Sequence, residues 1–253
     1  GAASLRRTGR VVERVLVLGL VRRGAAARRP LPHRPLPVAA ARLADFCDVF
    51  CEEGVFTAAE SRRILEAGQR AGLGARIHAD ELGASGGSLV AAAIGARSAD
   101  HLVHVPADGI AAMARANVTA TLLPTAAFYL KLGRFAPARA LIDAAVPVAL
   151  ATDVNPGGGF SPSMPFAMTL ACFAMGLTFE EALIAATINA AWSLDRAHEI
   201  GSLEPGKLAD AVIVRGEGTD LLHVGTPAIA GVLKRGTFVF GMAETENKDT
   251  VAD

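Results

Sequence analysis

The segment HADELGASGG, residues 78–87, concentrates polar groups that can do chemistry. A histidine, two carboxylates and a glycine pair fall within ten positions, directly after the short apolar lead-in of residues 73–77. Imidazole and carboxylate groups bind divalent metal ions, and both transfer protons near neutral pH. A lone histidine at a strand end is more often a structural residue, so His78 and Glu81 have to be weighed together with other polar groups of the chain.

Two later stretches, SADHL at residues 98–102 and ATDVNPGG at residues 151–158, supply such groups. His101 and Asp153 stand within or at the end of successive predicted strand units. Several polar groups directed into one crowded site are costly unless they share a task. The chemistry that needs these residue types is metal-assisted hydrolysis. In that chemistry His78 and Asp153 suit a metal ion, Glu81 suits proton transfer, and His101 suits polarisation of a carbonyl group.

The Asn-Pro-Gly-Gly turn at residues 155–158 begins two positions after Asp153 and offers backbone N–H groups that we expect to be free. A simple loop and a substrate-binding loop remain equally open interpretations of this turn.

Short apolar strands alternate with helices of about ten residues from Leu43 onward. The first helix has a capping box formed by Thr57 and Glu60. Such alternation is typical of βα units around a parallel sheet or barrel, in which reactive groups lie at the carboxyl ends of the strands. We predict strands within residues 46–56, up to Ile77, and within 99–105, 119–124 and 146–158, and helices over residues 57–73, 87–97, 107–117 and 138–145.

The predicted fold class is therefore α/β, a (β/α)₈ barrel that is incomplete on its N-terminal side. The segments GSLEPGKLADAVIV and GVLKRGTFVF near the end of the chain indicate paired strands of a small β-sandwich. We expect an atypical segment over residues 1–44, a partial hydrolase barrel over residues 45–200, and a sandwich segment with a tail over residues 201–253.

Composition narrows the class of protein. Hydrophobic residues make up 51% and charged residues 20% of the 253 residues, which is typical of a soluble protein with a large core. The apolar run at residues 166–179 is too short to span a bilayer. Three cysteines do not form a disulfide framework, so we expect packed thiols and a cytoplasmic location. We expect a small-molecule substrate and neither nucleic acid nor membrane as partner, with monomer and homodimer both open.

The zero net charge conceals an asymmetry between the two parts of the chain. Residues 1–44 contain ten arginines against one acid, Glu13, which leaves a net charge of +9 there and −9 in the remainder. This segment lacks the interleaved aromatic residues of a nucleic-acid surface, and the prolines of residues 29–37 exclude a helix there. We expect residues 1–44 to be disordered or not native to the protein.

These motifs together carry a family resemblance. IHADEL, SADHL, VPVALATDVNPG, MPFAMTLAC, ATINAAWSL and GSLEPGKLADAVIV resemble imidazolonepropionase, an amidohydrolase-superfamily enzyme family of histidine degradation. The resemblance covers about residues 43–241. It implies a metal-bearing barrel, a small β-sandwich, and hydrolysis of the cyclic amide of 4-imidazolone-5-propanoate to N-formimidoyl-L-glutamate.

Position by position, the resemblance implies that His78 and Asp153 bind one zinc or iron ion, with Asp153 also among the catalytic residues. Glu81 and His101 would be catalytic and would contact the substrate. The turn would contribute further substrate contacts, from Asn155, Gly157 and Gly158. His104, His198 and His223 match no functional position of the family, so we expect them to be structural or exposed.

The chain also departs from the family pattern. A His-x-His metal motif, expected on the first barrel strand, occurs nowhere in the sequence, and LGLV at residues 18–21 stands where the family has a histidine-bearing LGAH stretch. The single tyrosine, Tyr129, lies far downstream of the family's substrate-binding tyrosine. Two alternatives therefore stay open, another ring hydrolase or deaminase of the superfamily and a catalytically inactive remnant. We expect the chain by itself not to be an active hydrolase.

Overall fold

The computed structural model describes the backbone of residues 15–17 and the whole of residues 43–241. Most of the predicted segment 1–44 lies outside the described residues, including the proline run of residues 29–37. The strands are β1 Val15–Val17, β2 Phe46–Cys51, β3 Gly74–Ala79, β4 Ser98–His101, β5 Thr119–Leu122, β6 Val148–Leu150, β7 Ala211–Val214, β8 Ile229–Lys234 and β9 Thr237–Phe240. The helices are α1 Ala58–Arg70, α2 Gly87–Ile94, α3 Ala107–Ala116, α4 Pro124–Tyr129, α5 Ala138–Asp143, α6 Met164–Met175, α7 Phe179–Ala186 and α8 Ile188–Ser193, with a 3₁₀ turn at Gly218–Leu222.

The first six strands form one parallel sheet in sequential order, with helices in the connections from β2 onward. This is the order of strands in a (β/α)₈ barrel, of which the described residues contribute six. β1 pairs with β2, so at least Val15–Val17 of the N-terminal segment takes part in the sheet. The predicted α/β class and the incomplete barrel are confirmed.

Local sequence explains where several elements begin and end. The predicted capping box is present at α1, where the side chains of Thr57 and Glu60 each accept a hydrogen bond from the other residue's backbone N–H. Gly95 and Gly176 end α2 and α6 in the left-handed conformation that glycine adopts without steric cost. The predicted apolar run of residues 166–179 is therefore divided between two helices. Among the described residues, none of the helices is long and apolar enough to cross a bilayer.

Strand ends differ from the sequence prediction in three places. β3 continues to Ala79, so His78 lies inside the strand and not in the following loop. β4 ends at His101, because His101 and Leu102 both have positive φ, 75° and 59°, which stops the extended ladder. β5 ends before Pro124, whose fixed φ suits the first turn of α4.

Gly74 on β3 and Phe46 on β2 lie in close contact at the amino-terminal end of the parallel sheet. Gly74 pairs with Phe46 across β2 and β3, and a Cβ atom on Gly74 would lie 2.5 Å from the Phe46 ring. The Arg76 guanidinium lies over the same ring, 5.7 Å from its centroid. Glycine is therefore required at this position for the ring to fill the space beneath Arg76.

β7, β8 and β9 form a separate antiparallel sheet in that order. The predicted pairing of the two terminal segments is thus confirmed, although the described residues contribute one sheet and not the two layers of a sandwich. All four residues of β9 are exposed. A cavity of about 460 Å³ lies between this sheet and α6, lined by Phe166, Thr169, Val232 and Phe240 among others.

Candidate active site

Four of the predicted site residues belong to the carboxyl ends of three strands of the parallel sheet. His78 and His101 lie on the adjacent strands β3 and β4, and their ring centroids are 5.3 Å apart. Glu81 follows β3, and Asp153 follows β6 and is close enough to His78 and Glu81 to influence the pKa of both. The sheet therefore gathers the polar groups of three separate motifs, as the strand-end argument predicts.

His78 is oriented from β2 by Asp48, a residue that the sequence analysis did not single out. The Nδ1 atom of His78 lies 2.9 Å from Asp48 Oδ2 and 3.1 Å from Asp48 Oδ1. A carboxylate on one ring nitrogen fixes the tautomer and leaves Nε2 as the ligand atom, the arrangement usual for metal-binding histidines. Burial lowers the pKa of His78, but Asp48, Asp100 and Asp153 offset this and raise it to about 9. Because a ligand imidazole must be neutral, a metal ion competes with a proton here.

Glu81 and His101 form the second pair. The His101 Nδ1 atom lies 3.2 Å from Glu81 Oε1, and both side chains are buried. Burial and the charge of His78 lower the pKa of His101 to about 3, so its ring is neutral. Burial, aided by Asp153 and Glu52 and opposed by His78, raises the pKa of Glu81 to about 7.

The hydrogen-bonding role of His101 depends on whether Glu81 is protonated. When Glu81 is ionised, Nδ1–H of His101 donates to the carboxylate and Nε2 is left as an acceptor. When Glu81 is protonated, it donates to Nδ1, and Nε2–H becomes a donor for a carbonyl oxygen. The pair can therefore exchange donor and acceptor roles near neutral pH, which is what proton transfer to and from a substrate requires.

The turn after Asp153 differs from its prediction in one respect. The Asn155 side chain donates to the carbonyl oxygen and the carboxylate of Asp153, both at 2.9 Å. Its Oδ1 accepts from the backbone N–H groups of Gly157 and Gly158, at 2.7 and 2.9 Å. The prediction that these N–H groups are free is therefore wrong, because the asparagine folds back on its own turn as Asx residues do. Asn155 holds Asp153 and closes the turn.

Beneath the histidines lies a buried ion pair. Arg76 Nη2 is 3.5 Å from Asp100 Oδ2, and Ser98 Oγ donates to Asp100 Oδ1 at 2.7 Å. Burial raises the pKa of Asp100, but Arg76, His78, Ser98 and His101 together hold it below its usual value. Asp100 therefore carries a negative charge within the barrel and adds to the field acting on His78.

Sequence signals for these supporting groups exist but are weak. Asp48 and Arg76 are paired across β2 and β3, and Asp100 is paired with His78 across β3 and β4. Charged residues that alternate with apolar ones along a fully buried strand are the available signal, because both faces of such a strand normally read as apolar. The register that brings the charges together is not visible in the sequence.

The described residues meet the requirements of a metal site in part. His78 has its orienting carboxylate, and Asp153 supplies a second donor near it. A catalytic site needs about three protein ligands and an open position. Within residues 43–241, groups of three or more His, Cys, Asp or Glu side chains placed to hold an ion are absent. Two ligands do not complete such a site.

The remaining predicted residues take structural or surface positions. His198 and His223 are exposed, with side chains 70% and 64% accessible, and His104 is half-buried. Cys47, Cys51 and Cys172 are free thiols. Burial raises the pKa of Cys47 to about 11, which leaves it an unreactive packed thiol as predicted.

Comparison with known proteins identifies the family of the chain. The profile of the Amidohydrolase family matches residues 51–245. The chain belongs to the amidohydrolase family. Imidazolonepropionases of Shouchella clausii and Geobacillus kaustophilus are each 57% identical to it, over 70% and 68% of this chain and 39% and 40% of their own lengths. This amidohydrolase thus spans about two fifths of the length of these relatives.

A solved structure with the same fold is the adenosine deaminase of Xanthomonas campestris with bound zinc. It is 21% identical, covers 82% of this chain and 54% of its own, and superposes with a TM-score of 0.64. The likeness shows that this chain shares the fold of that enzyme over most of its length.

Proposed function

We propose that this amidohydrolase carries part of the active site of an imidazolonepropionase, which hydrolyses the cyclic amide of 4-imidazolone-5-propanoate to N-formimidoyl-L-glutamate in histidine degradation. The observation that carries the proposal is the Glu81–His101 pair at 3.2 Å beside His78, at the carboxyl edge of the sheet. The 57% identity to imidazolonepropionases over about two thirds of this chain supports the same substrate.

Each side chain has a role that its surroundings favour. Glu81, whose pKa is about 7, accepts a proton from the water molecule that attacks the amide carbon. It returns this proton to the ring nitrogen that leaves as the C–N bond breaks. Once Glu81 holds that proton, the buried and neutral His101 donates Nε2–H to the ring oxygen of the substrate. The turn of Asn155, Gly157 and Gly158 lies beside Asp153 and borders the place where the substrate binds.

We propose zinc or iron as the cofactor, held in part by His78 and Asp153. The zinc bound in the structurally similar adenosine deaminase supports a divalent ion, and imidazole and carboxylate are ligands that suit both metals. When bound, such an ion lowers the pKa of a water molecule and polarises a carbonyl group. A cytoplasmic location, a small-molecule substrate and a monomer or homodimer complete the proposal.

Two other functions have some support. The adenosine deaminase likeness favours a ring deaminase, although at 21% identity it shows the fold alone. The incomplete ligand set of the described residues favours an inactive remnant for the chain by itself. We expect the 253-residue chain alone to remain inactive with added zinc or iron(II), because two ligands do not enforce the coordination that acidifies a water.

A hybrid enzyme tests the proposed function. In this hybrid, the part of the Shouchella clausii relative that this chain does not match is joined to residues 43–253 of this protein. With zinc or iron(II), we expect metal-dependent loss of 4-imidazolone-5-propanoate and formation of N-formimidoyl-L-glutamate, at a rate within about tenfold of a typical enzyme's ~10 s⁻¹. A folded, metal-loaded hybrid that leaves this substrate intact but releases ammonia from adenosine would contradict the proposal and favour the deaminase.

A further inference from the structure

Glu52 is a buried carboxylate directly after the end of β2 that no motif of the sequence analysis includes. Its Oε1 atom accepts a hydrogen bond from the backbone N–H of Glu81 at 2.5 Å. The backbone N–H groups of Leu82 and Gly83 also donate to this carboxylate. Only 2% of Glu52 is exposed. A carboxylate this deeply buried is tolerated when hydrogen bonds replace its hydration, and three successive backbone donors do so here.

A second carboxylate holds the other end of the same loop. Asp80 Oδ1 accepts from Gly86 N at 3.0 Å and from Ser85 Oγ at 3.1 Å, and Asp80 Oδ2 accepts from Ser88 N at 3.1 Å. Asp80 thus fixes the start of α2. The bonds of Asp80 go to residues 85–88, whereas those of Glu52 go to residues 81–83. The two anchors are distinct, and the one that acts on Glu81 is Glu52.

The position of Glu81 matters because a single N···O contact of 3.2 Å joins its carboxylate to His101. A side chain reaches a partner reproducibly when its own backbone is fixed, and a displacement of about 1 Å can cost two orders of magnitude in rate. Glu52 supplies that fixation from a neighbouring strand, since β2 and β3 are paired up to Cys51 and Ala79.

We propose that Glu52 is a positioning residue, which holds the Glu81 carboxylate against His101 by binding the backbone N–H groups of residues 81–83. The proposal rests on the proposed function, because it assigns to Glu52 an effect on the proton-transfer group of that same site. Glu52 acts through Glu81 and does not itself touch the substrate.

Amide hydrogen exchange in the full 253-residue chain tests the anchor directly. In Glu52→Ala we expect exchange at Glu81, Leu82 and Gly83 to accelerate by about tenfold or more relative to the amide of Ala120 in β5. Glu52→Gln keeps one acceptor oxygen and should give an intermediate rate. Unchanged exchange at residues 81–83 in both variants would overturn the proposal. If Glu52→Ala unfolds, the nearly isosteric Glu52→Gln decides by the same comparison.

Glu60→Gln is the matched control. Glu60 also accepts a backbone hydrogen bond with its carboxylate, from Thr57 at 3.0 Å, but at the start of α1. This variant should leave exchange at residues 81–83 within about threefold of the parent chain, since it alters a carboxylate that accepts a backbone hydrogen bond elsewhere in the fold. Equal acceleration in Glu60→Gln and Glu52→Gln would show a general loosening of the fold and would overturn the proposal.

Turnover in the hybrid enzyme separates the positioning role from the proposed function. Glu52→Ala should lower kcat by about 10²-fold and leave KM within threefold of the parent hybrid. In the Glu81→Gln background the same change should cause no further loss of kcat, because both substitutions remove the contribution of Glu81. Additive losses would overturn the proposal. An inactive parent hybrid would count against the proposed function, whereas accelerated exchange in the Glu52 variants would still establish the anchor.

Discussion

The carboxyl edge of the parallel sheet and the small antiparallel sheet distribute polar and apolar groups in opposite ways. At the carboxyl edge, Asp48, Asp100 and His101 are buried and each contacts a charged or titratable partner. On β9, Val239 and Phe240 are 64% and 58% exposed, and Phe240 lines the 460 Å³ cavity. Buried charge is costly and persists where it has a task, so chemistry is indicated by the edge and not by the apolar cavity.

The largest effect should come from the proposed metal ligands at the carboxyl edge. In the hybrid enzyme, His78→Ala or Asp153→Ala should remove bound metal and lower turnover by roughly 10³-fold or more, because each takes away one of about three ligands. Metal content per chain and the rate of substrate loss check this together. His198→Ala, at an exposed histidine, is the control and should retain both. Full metal content in both ligand variants would refute their assignment.

A smaller effect should appear in the pH dependence of stability. Burial raises the pKa of Glu81 from its ordinary 4.5 to about 7. Between these values the unfolded chain releases a proton that the folded chain keeps, so the free energy of unfolding falls as pH rises, by about 3 kcal/mol in total. Glu81→Gln should remove this contribution and leave only the decrease above pH 6.5 that comes from the raised pKa of His78. Urea unfolding at pH 4.5 and pH 8 measures it, with Glu60→Gln as control, and parallel profiles for parent and Glu81→Gln would contradict it.

The smallest effect should come from the antiparallel sheet. Val239→Thr should change the free energy of unfolding by less than about 0.5 kcal/mol, because the side chain already contacts water. The same substitution at Val49, which is fully buried in β2, should cost about 1–3 kcal/mol by placing a hydroxyl group in the core. Denaturant titration of both variants compares the two regions, and equal losses would show that the antiparallel sheet is packed as tightly as the barrel.

The sequence predicts the alternating elements well because each carries its own local signal. The Thr57 and Glu60 capping box marks the start of α1 through contacts within a few residues. The extension of β3 past Ile77 was missed, since a histidine among apolar residues interrupts the pattern although the backbone stays extended. Short-range signals thus locate the elements, and their exact ends depend on pairing with neighbouring strands.

The residues of the candidate site also fall into those with a local sequence signal and those without one. His78, Glu81, His101 and Asp153 stand in compact motifs, and their proximity follows from the rule that strand ends share one edge. Asp48 and Glu52 act over 30 and 29 positions of sequence, and their contacts arise from the register of β2 against β3. The spacing of residues along the chain does not show which residue supports which across two strands. These pairings are therefore seen only in the structure.

The contact of Phe46 with Gly74 gives the far end of the barrel an influence on the charges of the site. A methyl group at Gly74 would displace the Phe46 ring, which lies against Arg76, the cation paired with Asp100. Moving the guanidinium would leave the negative charge of Asp100, which acts on His78, less well neutralised by Arg76. A change of one carbon atom at the amino-terminal end of the sheet would in this way retune the proton affinity of a histidine near its carboxyl edge, with every side chain of the reaction left in place.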